Sequence, residues 1–284
     1  MYIDTHCHLN LKDFEDDWLE VAQEAIKAGV EKMIVPGSAL ESSGRAIEIA
    51  EQMENIWASV GFHPHHCKGL EDVEETITEL RKLVKHKKVV AIGECGLDYH
   101  VYQKSKYSKT RISEEQKKLQ KQVFGKQIQL AKEFDLPMII HNREAQKEIL
   151  DVIDHFCIAD GHYPKGVFHC ISGSVGYLQK VLEKGFYIGV DGNVTFSSEV
   201  QALAREVPLD RMLLETDSPW LIPEPLRSGL KDNIQERTLH LRCGLRNRPI
   251  NVKIVAEFVA KLKNVSVDKV VSGTSRNAQK LFNI

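Results

Sequence analysis

The strongest constraint on the fold is a repeated alternation. Short, continuously apolar runs are each followed by a stretch with helical spacing. The runs are "MYIDTH", "KMIVPG", "IWASVG", "VVAIGE", "PMIIH", "GVFHC", "GFYIGV" and "RMLLETD". Between them, helices are predicted over 13–29, 41–53, 70–86, 114–134, 144–156, 174–184 and 198–205. The first shows its spacing through Phe14, Leu19, Val21, Ala22, Ala25 and Ile26, and Gly29 stops it. The eighth run leads through a long loop to two further helices, over 251–263 and 266–282. Strands apolar on both faces belong to parallel sheets covered by helices. Eight βα units in 284 residues predict a closed (β/α)8 barrel, an α/β fold with extra C-terminal helices. An open, doubly wound sheet is the alternative, but neither GxGxxG nor GxxxxGK[ST] is present to support its nucleotide-binding forms. With no linker or low-complexity tract, residues 1–284 read as one domain.

Barrel enzymes keep their chemistry at the C-terminal ends of the strands. The first run ends in His6-Cys7-His8, and residues i and i+2 of a strand share a face, so two imidazoles stand side by side. The third ends in "GFHPHH", with His63, His65 and His66; the fourth in "GECGLDY", with Glu94; the fifth in "IIHNRE", with His141. The sixth ends in "FHCISGS", with His169, and the eighth in "LLETDSPW", with Asp217. His6, His8, Glu94, His141, His169 and Asp217 thus come from five strands to one rim, which local composition does not explain. Neutral imidazoles and carboxylates suit Zn, Mn, Fe or Co, and the carboxylates admit Mg. Six ligands exceed one tetrahedral site and suit two divalent ions bridged by a carboxylate and a hydroxide, a nucleophile available at neutral pH.

Other charged groups near these ends have two readings each. His63 could meet a scissile phosphate or be structural. Arg143 could clamp a phosphate or pair with Glu144. Asp4 could orient an imidazole, and Asp98 could cap or pair with a basic side chain. Cys7, Cys95 and Cys170 adjoin candidate ligands; alternation turns them to the opposite face, so they are expected outside the barrel interior, packed under helices. The six cysteines form no CxxC, no run is long and apolar enough for a membrane span, and the start has no signal-peptide pattern, which together predict a reduced, cytosolic protein. A net charge of −2 carries no global signal for nucleic acid, so any phosphate-binding surface must be local.

The ordered segments "DTHCHLN", "VGFHPHH", "AIGECGLDY", "IIHNREA", "FHCISGS" and "LLETDSPWL" resemble the motifs of the TatD family of metal-dependent deoxyribonucleases, within the amidohydrolase superfamily. The resemblance covers essentially the whole chain. It implies a distorted TIM barrel of the metallo-dependent hydrolase type and hydrolysis of DNA phosphodiester bonds, an exonuclease working from the 3' end being one form. It also implies that His6, His8, Glu94 and Asp217 hold one metal (Mg, Mn or Zn) and Glu94, His141 and His169 the other, with Glu94 bridging. Glu94 and Asp217 are then the candidate catalytic carboxylates; beside a metal-bound water Asp217 can simply hold the ion or also take the water's proton, and both jobs are expected of it.

Two segments depart from the family pattern. After Tyr99 the chain carries "HVYQKSKYSKTRISEEQ", with Lys104, Lys106, Lys109 and Arg111 among Tyr102 and Tyr107. After the eighth strand, "EPLRSG" and "LRNRP" are separated by "LKDNIQERTLHLRCG", so that Arg227, Lys231, Arg237, Arg242, Arg246 and Arg248 stand against Asp232 and Glu236, while Asn247 and Pro249 match the family only loosely. Both segments follow strands and should overhang the rim, where positive charge suits a DNA substrate; solvated surface or a subunit contact is the plainer reading. The same metals could also serve a small-molecule amidohydrolase, an aminoacyl-tRNA deacylase or a non-enzymatic scaffold. A monomer is compatible with the sequence, which does not fix the oligomeric state.

Overall fold

The computed structural model describes residues 1–102, 112–157, 161–229 and 246–284. Eight strands run in sequence order around one parallel sheet: β1 Tyr2–Asp4, β2 Val30–Pro36, β3 Ile56–Val60, β4 Val89–Asp98, β5 Met138–Arg143, β6 Gly166–Phe168, β7 Tyr187–Val190 and β8 Met212–Leu214. Between the ends of this sheet, Thr5 N donates to Leu214 O at 3.1 Å and Cys7 bridges to Ser218 in parallel, so the mouth closes into a barrel. The fold is the TIM-barrel type expected from the alternation of strands and helices.

The helices are α1 Trp18–Lys27, α2 Leu40–Gln52, α3 Val73–Val84, α4 Glu114–Glu133, α5 Gln146–Cys157, α6 Val175–Glu183, α7 Ser198–Glu206, α8 Val252–Lys263 and α9 Val267–Phe282. Local chemistry sets their starts. Asp72 accepts from Glu75 N, so α3 begins after 72 rather than at 70. Ser113 and Gln116 form a capping box at α4, and Ser266 caps α9. The helix expected from 13 starts only at Trp18; Lys12–Phe14 is a 3-10 turn, and the Asp17 carboxylate at the junction is held by Arg246.

The core has two parts. The larger lies outside the barrel, between strands and helices, and includes Met33, Val35, Ala58, Val60, Ile92, Met138, Ile140, Phe168 and Leu214. The smaller fills the lower barrel with Ile3, Ile34, Val90, Ala91, Ile139, Val167 and Leu213. The last helix, α9, closes that end with Ala278, Leu281 and Phe282. It is pinned there by Ser275, which donates to Met1 O, and by Asn277, whose amide donates to Leu209 O and Met212 O at 2.8 Å each. The floor being apolar, the polar residues of the strands are gathered at the other end.

Candidate metal centre

Each strand end delivers its side chain by a separate device. His6 and His8 follow β1 and point the same way, their Nε2 atoms 2.9 Å apart. The backbone beneath them is locked by Asp4, fully buried, whose Oδ1 accepts from His6 N and Thr216 N and whose Oδ2 accepts from the Thr216 hydroxyl at 2.6 Å. Asp4 therefore fixes the main chain of β1 against the segment after β8; it orients no imidazole directly. Asp217 sits in that segment at φ +51°, a conformation costing a non-glycine residue about 1 kcal/mol or more. Its N–H donates to His6 O at 2.9 Å, which ties the two halves of the site together.

Glu94 comes from β4. Strict alternation would turn Glu94 to the same side as Ile92, into the outer core. The pairing of β4 with β5 slips between Ile92 and Cys95, and both of these face the outer core. The extra residue lets Glu94 point into the mouth, where it is 4% exposed. Nearby, Gly96 at φ +140° passes so close to the His141 carbonyl oxygen that no Cβ could be accommodated, and this brings β4 and β5 together at the height of the site.

The two Glu94 oxygens face different partners. Oε2 lies 3.6 Å from both His6 Nε2 and His8 Nε2, and Asp217 Oδ1 completes that group at 3.8 and 3.6 Å from the same nitrogens. Oε1 lies 3.0 Å from His141 Nδ1, 3.2 Å from His169 Nε2 and 3.4 Å from His63 Nε2. All six residues named from the strand ends are thus together, in two groups that share one carboxylate.

Hydrogen bonding around the rings decides which nitrogens offer lone pairs. His141 Nε2 donates to Asp98 Oδ2 at 3.0 Å, which leaves Nδ1 facing Glu94 as the atom that can carry either a proton or a cation. His169 Nδ1 lies 3.3 Å from Glu215 Oε1 and its Nε2 lies 3.2 Å from Glu94 Oε1, so this ring too stands between two carboxylates. A lone pair 3.0–3.2 Å from a carboxylate oxygen repels it unless positive charge lies between them. Two imidazole nitrogens at 2.9 Å beside two carboxylates pose the same problem in the first group. The donor set therefore fits cations. His63 is different. Its Nδ1 accepts from His65 N at 3.1 Å, so the proton of its neutral ring is on Nε2 and aims a donor at Glu94. Although near His141 and Glu94, His63 presents no lone pair to the cluster.

Without a metal, protons meet the same need for positive charge. Burial alone would raise the Glu94 carboxyl, but His63, His169 and His141 outweigh it and hold it well below the usual range. Burial pulls His141 and His169 down, yet hydrogen bonds and charge from Asp98, Glu94 and Glu215 raise both. Burial dominates at His63, whose pKa falls to about 3, keeping it neutral. At Asp98, 0% exposed, burial is outweighed by His141 and His65, and the carboxyl stays ionised.

Several neighbours occupy places that the sequence left open. Glu215 is fully buried beneath His169 and accepts from Cys170 N at 2.6 Å; room for it exists because Gly189 has no Cβ, which would stand 2.6 Å from its Cδ. It lies two residues before Asp217 in "LLETD", so the alternation that pairs His6 with His8 would have found it. Asp98 takes His65 Nε2 at 2.8 Å and the Tyr102 hydroxyl at 2.7 Å besides His141. His66 packs against Phe62 and not in either group. Cys7 and Cys95 are buried in the outer core, on the face opposite their neighbours His6, His8 and Glu94 as expected, and burial raises their thiols. Cys170 departs from that expectation. It is half-buried, at φ +53°, and its Sγ takes a hydrogen bond from Asn193 at 3.4 Å rather than packing under a helix.

Among the basic residues, Arg143 does not pair with Glu144, which binds His100. Its guanidinium lies over the Tyr102 ring at 4.9 Å and donates to the Tyr102 hydroxyl at 3.0 Å, with no carboxylate partner among the described residues. Arg227 lies over the Phe196 ring at 4.2 Å. Arg246 and Arg248, grouped in the sequence with the basic rim, are instead neutralised by Asp17 and Glu24. Asn247 between them is buried and donates to Thr216 O and Leu221 O. This stretch fastens the returning chain to the barrel. Lys104, Lys106, Lys109, Arg111, Tyr107, Lys231, Asp232, Glu236, Arg237 and Arg242 lie outside the described residues. No helix among the described residues is long and apolar enough to cross a membrane.

Residues 3–283 match the family described as TatD related DNase. The chain is 36% identical to the uncharacterized metal-dependent hydrolase YabD of Bacillus subtilis, over 100% of both chains. It is 32% identical to the 3'-5' ssDNA/RNA exonuclease TatD of Erwinia amylovora, over 99% of each. The crystal structure of YjjV, a TatD homolog from Escherichia coli, superposes with a TM-score of 0.81 at 27% identity, covering 100% of this chain and 98% of that one.

Proposed function

From the premise that this chain belongs to the TatD family of metal-dependent hydrolases, we propose that it hydrolyses DNA phosphodiester bonds with two divalent ions, acting from the 3' end. The observation that carries this reading is the division of Glu94, one oxygen toward His6 and His8 and the other toward His141 and His169. In this reading His6, His8 and Asp217 with Glu94 Oε2 would hold one ion, and His141 and His169 with Glu94 Oε1 the other. The ions, Mg, Mn or Zn, would supply positive charge for the phosphoryl oxygens and acidify water toward neutrality.

The chain's own groups would do the rest. His63 offers its Nε2–H to a non-bridging phosphoryl oxygen, a role open to a donor and closed to a ligand. Asp217 takes the proton of the attacking water and returns it to the leaving oxygen. Arg143 and Arg227, each resting on an aromatic ring, pair with backbone phosphates of the substrate. Lys104 and Lys106, read from the sequence alone, add affinity for the substrate backbone.

The test is a panel. Protein loaded separately with Mg, Mn and Zn is given single-stranded DNA labelled at either end, nicked duplex, RNA, an aminoacyl-tRNA, and amide and ester substrates. Stepwise release of nucleotides from DNA 3' ends is the expected result. Turnover of the aminoacyl-tRNA or the small substrates, with DNA left intact, would overturn it.

A further inference from the structure

The segment that enters the first insertion touches the metal centre through one carboxylate. Asp98, the last residue of β4, is fully buried, and its Oδ2 receives three donors: Tyr102 Oη at 2.7 Å, His65 Nε2 at 2.8 Å and His141 Nε2 at 3.0 Å. Its Oδ1 accepts from His100 N at 2.9 Å. Gln120 of α4 clamps its backbone from both sides, accepting from Asp98 N and donating to Asp98 O at 3.0 Å each. The carboxylate is therefore immobile, and it meets His141 on the nitrogen that points away from Glu94. Tyr102 in turn lies edge-on to the His65 ring at 4.9 Å and carries Arg143 on its face. It is the place where the insertion, the rim arginine and the ring of His141 meet.

We infer that Asp98 is the positioning residue for His141 and that Tyr102 holds it in place, so that the start of the inserted segment acts on the metal centre. By keeping the proton on Nε2 of His141, Asp98 fixes the lone pair of Nδ1 toward Glu94 and restricts the ring to the orientation in which it can serve as a ligand. The inference rests on His141 being a ligand in the function proposed above. It assigns a task to the chain just after Tyr99 that basic side chains on a solvated loop would not have.

Two measurements on the full-length protein test it. Metal-free protein is titrated with Mn²⁺ in a calorimeter, and the tautomer of His141 is read by long-range ¹H–¹⁵N NMR in the metal-free state at a pH high enough to leave the ring neutral. The wild-type chain should take up two ions and show His141 protonated at Nε2. Asp98→Asn should weaken one ion by about 10- to 100-fold, leave the other unchanged, and mix the two tautomers of His141. Tyr102→Phe, which deletes one hydrogen bond and keeps the ring, should weaken the same ion by about fivefold; it decides the matter should Asp98→Asn not fold. Equal weakening of both ions, unaltered binding in both variants, or an unaltered His141 tautomer in Asp98→Asn would overturn the inference. A wild-type chain that binds fewer than two ions would instead overturn the two-metal reading, and the tautomer measurement would still decide the role of Asp98.

Discussion

The two ends of the barrel are built from the same eight strands on opposite principles. At the floor, Ile3, Ile34, Ile139, Val167 and Leu213 meet Leu281 and Phe282 of the last helix, and burial of apolar surface dominates, with Ser275 and Asn277 adding hydrogen bonds to the main chain. At the mouth, His6, His8, Glu94, His63, His169 and Asp217 are buried, and His141 partly buried, with unlike needs. Among the described residues, His6 Nδ1, His8 Nδ1 and Glu215 Oε2 are buried without a hydrogen-bond partner. Such groups cost free energy when left unpaired. The floor supplies stability that the mouth consumes, and the difference teaches where substitutions should hurt folding and where they should hurt turnover.

The largest effect should come from Glu94→Gln. It removes the charge common to both donor groups, so both ions should be lost together and turnover should fall by at least about 10³-fold, equivalent to several kcal/mol. The melting temperature of the metal-free protein should fall, because the histidines that hold the Glu94 carboxyl low lose their counter-charge; an unchanged value would mean that this carboxylate contributes nothing to the fold without metal. Asp217→Asn, measured at saturating metal, should lower turnover by about 10²-fold or more while DNA binding persists, the loss expected of a proton acceptor. Near-normal turnover at high metal would leave Asp217 a ligand only.

At the other end, Phe282→Ala should destabilise the protein by about 3–5 kcal/mol with kcat of the folded fraction unchanged. A kcat effect there would show that the two ends are not separable. Chelation should stop turnover, and restoring metal to 100 times its dissociation constant should raise stability by about 2.7 kcal/mol per ion, seen as a higher melting temperature. Smallest of all, replacing Lys104, Lys106 and Lys109 by Gln should flatten the salt dependence of single-stranded DNA binding by a slope of up to about 2, with turnover at saturation little altered. An unchanged slope would return that segment to ordinary solvated surface.

Much of this molecule follows from periodicity alone. Continuous apolar runs alternating with amphipathic stretches require a parallel sheet under helices, and eight of them close a barrel, because each strand must bury both faces. The ends of those strands then carry His6, His8, Glu94, His141, His169 and Asp217 to one rim, and the i, i+2 spacing of the first two is enough to set them side by side. Glu215 was equally open to that rule.

What tertiary structure decided concerns direction, protons and partners. Alternation counts residues but not bulges, so only the slipped register of β4 turns Glu94 inward between two outward neighbours. Sequence names a histidine without saying which nitrogen is free; Asp98 behind His141 and the backbone of His65 behind His63 give two neighbouring rings opposite roles. Charge clusters in sequence say nothing of what faces them, and Arg246 and Arg248, grouped with the rim by position, are neutralised by Asp17 and Glu24 from the start of the chain. Each of these depends on contacts between residues far apart in the chain, which a local pattern does not encode.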